Sequence, residues 1–128
     1  ETNLLIFELL EIMKKQELDY TNTFLFLMEH EIDNKRNYQN KEFDNWKMKW
    51  QKRLTKDSKN LMELNNPKII PRNHNVESVL KSAENNDLKP FNDLLQALKN
   101  PYTNQKVLTK YQSPPPKSDE KYQTFCGT

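Results

Sequence analysis

Apolar residues recur at steps of three and four in five separate stretches of the chain, and this spacing puts each set on one side of a helix. The first stretch holds Leu4, Leu5, Phe7, Leu9, Leu10, Ile12 and Met13. The second holds Tyr20, Phe24, Leu27 and Met28, and the third Phe43, Trp46, Trp50, Leu54 and Leu61. Val76, Val79, Leu80 and Ala83 form the fourth, and Leu88, Phe91, Leu94, Leu95 and Leu98 the fifth. The pattern predicts an all-α fold of about five helices in an irregular bundle, followed by an extended C-terminal tail.

Local signals set the bounds. A helix over about Asn3–Lys15 starts at Thr2 or Asn3 as cap and ends on Lys14 and Lys15, which suit its negative dipole end. Its apolar residues cover more than one stripe, so it expects cover on several sides. Glu17-Leu18-Asp19 is a tight turn, and Asp19 caps a second helix running to about His30. Positions 31–42 are polar and predict a solvated loop. Asp57 and Ser58 interrupt the third helical pattern and restart it, and Asn65-Asn66-Pro67 ends it, because a residue before proline avoids the helical region. Lys68 to Asn73 is short and extended, with Ile69-Ile70 as an apolar anchor. Asn73 caps the fourth helix, inward through Val76, Val79, Leu80 and Ala83. Asp87 caps the fifth, inward through its Leu and Phe residues. Pro90 sits in the first turn of the fifth helix, and Asn100-Pro101 stops it. The organisation expected is a helical region over 1–100 and a tail over 101–128, polyproline-like at Pro114–Pro116 and ending in Tyr122-Gln123-Thr124-Phe125-Cys126-Gly127-Thr128. Two aromatics after a proline spacer suggest a docking segment, with plain disorder as the alternative.

Composition narrows the chemistry. The 128 residues are 34% hydrophobic and 30% charged, with a mean hydropathy of -1.04. A core is therefore possible but thin. No stretch is long and apolar enough for a membrane span, and none reads as a signal peptide. Twenty basic against 18 acidic residues leave +2, too weak to announce a nucleic-acid partner. The single glycine near the end excludes a Gly-rich phosphate loop within these residues, and the single cysteine an internal disulfide. The opening at Glu1, almost directly into a helix pattern, suggests a segment of a longer polypeptide; processing or tag removal would look the same.

Candidate chemical groups are few. His30 and His74 lack partners at metal-ligand spacing and are expected to be structural or exposed. Trp46 and Trp50 among Lys47, Lys49, Lys52 and Arg53 resemble a basic-aromatic patch for single-stranded nucleic acid. The stronger reading is an amphipathic helix with a solvated basic side. Carboxylate pairs such as Glu8/Glu11 and Asp87/Asp93 are explained by caps and exposed faces. Cys126, third from the end, is the sharpest single residue, because an exposed thiol on a tail can reach another sulfur. The nearby carboxyl terminus should raise its pKa rather than lower it.

Three stretches together resemble the selenoprotein O family, also called YdiU. They are Asp19-Tyr20-Thr21-Asn22-Thr23-Phe24, then Asn66-Pro67-Lys68-Ile69-Ile70-Pro71-Arg72-Asn73-His74, then Asn100-Pro101-Tyr102 with the proline run and the terminal Tyr122–Thr128. The order and spacing match over nearly the whole chain, least well over 31–45. The resemblance implies the C-terminal part of a longer protein with a kinase-like fold. It implies a protein adenylyltransferase that binds ATP and magnesium and passes AMP to Ser, Thr or Tyr hydroxyls of protein substrates. The nucleotide and metal residues would lie upstream, so this chain should supply no catalytic, cofactor-binding or metal residue. In the family the third residue from the end is selenocysteine or cysteine, which implies that Cys126 is a redox residue pairing with a cysteine of the kinase-like part. The partners expected are the rest of the parent polypeptide and its substrates, with neither nucleic acid nor membrane, and self-association of the chain in isolation. A cysteine at this position and the Asn- and Lys-rich sequence fit a bacterial cytoplasmic protein. The rival reading is a free-standing helical module that binds protein or nucleic acid through the Trp46–Trp50 helix.

Overall fold

The computed structural model describes residues 2–30, 32, 35–103, 105 and 108–115. Among them the chain is all-helical, with seven α-helices and one 3-10 turn, and it divides into two compact units, Glu1–Asn66 and Pro67–Thr128. The first unit contains α1 (Thr2–Lys15), α2 (Tyr20–Leu27), the 3-10 turn Lys35–Tyr38, α3 (Lys41–Gln51) and α4 (Ser58–Asn65). The second contains α5 (Asn73–Glu84), α6 (Lys89–Leu98) and α7 (Leu108–Gln112).

The helix count exceeds the expected five for two reasons. The third pattern breaks into α3 and α4 at Lys52–Asp57, and part of the expected tail folds as α7, with Tyr111 and Gln112 buried. The start signals hold in part. The Asp19 carboxylate accepts the Asn22 N–H at 2.9 Å, as its cap role requires. Asn40, inside the predicted loop, caps α3 by accepting the Phe43 N–H at 2.8 Å. Asn73 is instead the first residue of α5, with Arg72 at the cap position and no side-chain cap bond. Asp87 lies one residue outside α6, where Leu88 occupies the cap and Asp87 accepts the Lys89 N–H at 3.3 Å.

Helix ends show how this chain manages with so little glycine. α1, α2 and α5 each finish in a paired-bond C-cap. Leu18 N–H donates to the Met13 carbonyl and Glu17 N–H to Lys14. His30 and Glu29 repeat the pattern onto Leu25 and Phe26, and Asp87 and Asn86 onto Ser82 and Ala83. Each motif needs a left-handed residue, and here these are Glu17 (φ 53°), Glu29 (φ 65°) and Asn86 (φ 66°). A side chain with a Cβ pays roughly 1–2 kcal/mol for that conformation, less for Asn. Only the third of these turns has a residue type that favours the left-handed conformation, Asn86.

The first unit packs around Leu9, Ile12 and Met13 of α1, Leu25, Leu27 and Met28 of α2 and its C-cap, Ile32, Tyr38, and Phe43 and Trp46 of α3. The second packs Ile69, Val79, Leu94, Ala97 and Tyr111, mostly between α5 and α6. The inward set of α6 is therefore Leu94 and Ala97. Leu88 (57% exposed), Leu95 (42%) and Phe91 (37%) remain exposed, and so does Leu80 of α5, because α5 covers only one stripe of α6. Periodicity placed these residues on an apolar face correctly, but none of the described residues of this unit covers that face.

Candidate functional site

Two places concentrate side chains in built arrangements. The first is the junction of α1 and α3. The Gln16 and Asn40 amides exchange hydrogen bonds at 3.0 and 2.6 Å, tying the end of α1 to the start of α3. The indole N–H of Trp46, itself buried, donates to the Leu5 carbonyl at 2.8 Å. Aromatic rings run in sequence from there. Phe26 stacks on Tyr38 at 4.5 Å, Phe43 meets both edge-on, and Trp46 lies 6.0 Å from Phe43 and nearly parallel to Trp50 at 5.8 Å. The Tyr38 hydroxyl lies 3.1 Å from the Thr23 hydroxyl, which donates to the Asp19 carbonyl. Lys47 sits over the Phe26 ring, and Lys49 pairs with Glu8 at 3.1 Å. Beside this junction a groove of about 450 Å³ opens between α1 and α3.

This geometry places Trp46 in the core. A base stacks on an exposed ring, but Trp46 is 4% exposed and its polar edge already binds backbone. Trp46 is part of the core of the first unit and Trp50 packs half-buried against it, while Lys49 lies on the solvated side.

The second place is the extended Pro67–Arg72 segment. Lys68 is 2% exposed and its Nζ donates to the Tyr102 carbonyl at 2.8 Å, while its backbone N–H donates to the Pro101 carbonyl at 2.7 Å. The buried Gln112 side chain donates to the Lys68 carbonyl at 2.8 Å, and Asn75 donates to the Tyr111 carbonyl at 3.1 Å. Two of the stretches that carried the resemblance, Asn66–His74 and Asn100–Tyr102, are thus brought together in space. Sequence reasoning passed over Lys68, Gln112 and Tyr38. The one signal for Lys68 was its place between Pro67 and Ile69-Ile70, where a solvated loop has no use for three apolar neighbours. Burial pushes the Tyr111 hydroxyl above its ordinary pKa of 10.0, with the Asp93 carboxylate adding and Lys89 opposing. The hydrogen bond and charge of Asp93, 2.7 Å away, raise the Lys89 ammonium.

The other candidates are separately engaged. His30 Nε2 lies 2.8 Å from Glu63 Oε1, and His74 is the second residue of α5. Of the carboxylate pairs, Glu8 binds Lys49, and Asp93 binds Lys89. Among the described residues no group of three or more His, Cys, Asp or Glu could hold a metal ion. No helix among them is long and apolar enough to cross a membrane. Cys126 and the terminal docking segment lie outside the described residues.

The sequence profile described as Protein adenylyltransferase SelO matches residues 1–99. The chain is 53% identical to the Protein nucleotidyltransferase YdiU of Pelagibacter ubique, over 97% of this chain and 27% of that protein. It is 47% identical to the protein of that name in Clostridium perfringens strain 13, over 98% of the chain and 27% of the relative. For the Alcanivorax borkumensis relative the figures are 41%, 100% and 28%. The chain thus spans little more than a quarter of the length of these relatives. No solved structure gives a significant match. With a profile match over most of its length and relatives of such high identity, the chain belongs to the SelO/YdiU family of protein adenylyltransferases.

Proposed function

We propose that this chain is the C-terminal helical portion of a longer, kinase-like adenylyltransferase, that it buttresses the catalytic part, and that its tail carries Cys126 toward that part as a redox residue. The observation that carries the reading is the identity of 53% over nearly all of this chain but only 27% of a protein named a nucleotidyltransferase. In the reaction a Ser, Thr or Tyr hydroxyl oxygen attacks the α-phosphorus of ATP. A new O–P bond forms, the bond to the β-phosphate oxygen breaks, pyrophosphate leaves and the hydroxyl proton passes to a base. On this reading that machinery and its divalent metal belong to the remainder of the parent. The residues described above supply shape: the Trp46 and Lys68 anchors fix two helical units onto which the rest can pack.

The test uses labelled ATP. The full-length parent should label protein substrates, and the isolated chain should neither label them nor shift its melting midpoint with Mg-ATP. Adenylate transfer by the isolated chain, or a midpoint shift of several degrees, would overturn the division of labour. Cys126→Ser in the parent should abolish any oxidant sensitivity of transfer, and sensitivity that persists rejects the redox tail.

A further inference from the structure

The inner face of α1 is already committed: Leu9, Ile12 and Met13 are buried and Leu5 packs beside them. Its outer face nevertheless carries Leu4, Ile6, Phe7 and Leu10 at 62, 52, 68 and 43% exposure. A solvated helix face is ordinarily polar, and four large apolar side chains on one turn-and-a-half mark an interaction surface. The groove against α3 adds shape to it. Leu4 and Phe7 form one wall and Trp46 lies opposite, within about 450 Å³. Its rim is acidic. Glu8 is matched by Lys49, whereas Glu11, exposed on the same wall, has no ion-pair partner among the described residues.

We propose that this outer face of α1 docks an amphipathic segment of the parent polypeptide outside this chain, with aliphatic or aromatic side chains seated between Phe7 and Trp46 and a Lys or Arg against Glu11. The occupant is assigned from length and place. The chain spans 27% of its relatives, so most of the polypeptide available to cover this face lies outside the chain. The family profile matches from residue 1, so α1 itself is family sequence. The assignment rests on the reading that this chain is a piece of a longer enzyme.

Phe7→Glu separates the outcomes. In the isolated chain the site is in solvent, and the melting midpoint should move by less than about 2 °C. In the full-length parent the same charge is buried against an apolar partner, and the midpoint should fall by roughly 5 °C or more. Glu11→Lys, which leaves the apolar surface intact, should lower the parent midpoint by roughly 1–2 °C at low salt, and the deficit should vanish at high salt. An unshifted parent with Phe7→Glu overturns the proposal. So does a full-length parent that sediments as a dimer and is dissociated by Phe7→Glu, because the occupant is then a second copy. Failure of the underlying reading looks different: the protein isolated from its native cells would run at 15.4 kDa, before any variant is made.

Discussion

Among its described residues Glu1–Asn66 has ten buried apolar ones, three of which, Tyr38, Phe43 and Trp46, form a continuous aromatic series with the half-buried Phe26 and Trp50. The described residues of Pro67–Thr128 include five, and much of what orders them is polar: the Lys68 ammonium, the Gln112 amide and the Asn75 amide each donate to a backbone carbonyl. Dispersion and burial are non-directional and tolerate small shifts, whereas a buried donor demands its acceptor within about 0.5 Å. The first unit should therefore be the more sensitive to lost volume, and the second to lost single atoms. Both tryptophans lie in the first unit, so indole fluorescence follows it alone, and amide exchange in α7 follows the second.

The largest effect expected is from Phe43→Ala. Phe43 is fully buried and touches Phe26, Tyr38 and Trp46. Removing it should cost about 3–5 kcal/mol, including the cavity left behind. Urea titration should show the fluorescence transition collapsing toward zero denaturant while exchange protection of α7 is retained. Loss of both together would show that the two units do not unfold separately.

Next comes Lys68→Met, which keeps the buried stem and deletes the donor to the Tyr102 carbonyl. The loss should be about 1–3 kcal/mol. It should appear as faster exchange in α7 and at Thr103, with the indole transition unmoved. If Met is as stable as Lys, the ammonium is not an anchor and the second unit is held by its apolar residues after all.

Alkali should also separate the units. Burial and Asp93 place the folded pKa of Tyr111 above its unfolded value of 10.0. The neutral phenol is the form the fold favours. Its contribution is complete below pH 10 and is lost as the pH climbs through the higher folded value. Lys89, also raised, has the same sign but is fully exposed and should add little. The stability of the second unit against urea should fall above pH 10, and Tyr111→Phe should remove most of that fall.

These expectations bear on how far the sequence could be read. Asp19 and Asn66-Pro67 marked real helix bounds because capping and the pre-proline restriction act over three or four residues. The apolar spacing of α6 named Leu88, Phe91 and Leu95 as inward, yet they are exposed, since spacing identifies a face and only a neighbour can cover it. Tyr38 sat in a polar run, and nothing local showed that its ring would stack on Phe26 and its hydroxyl meet Thr23. Lys68 was missed for the same reason: its acceptor lies 34 positions away. Of the candidate residues, Trp46 lies in the core with Trp50 half-buried against it, and Cys126 lies outside the described residues.

The smallest effects concern the left-handed C-caps, and they sharpen the comparison from the side of the backbone. Glu29 in the first unit and Asn86 in the second occupy nearly the same conformation, at φ 65° and 66°. Glycine relieves the Cβ clash in both but adds freedom to the unfolded chain, which offsets part of the gain. Glu pays the full clash and Asn only part of it, so Glu29→Gly should stabilise its unit by about 0.5–1 kcal/mol and Asn86→Gly by no more than a few tenths. Equal gains at the two sites would mean that the Asn86 turn is as strained as the Glu29 turn. A loss at Glu29 would mean instead that its side chain contributes more to the fold than its backbone conformation costs.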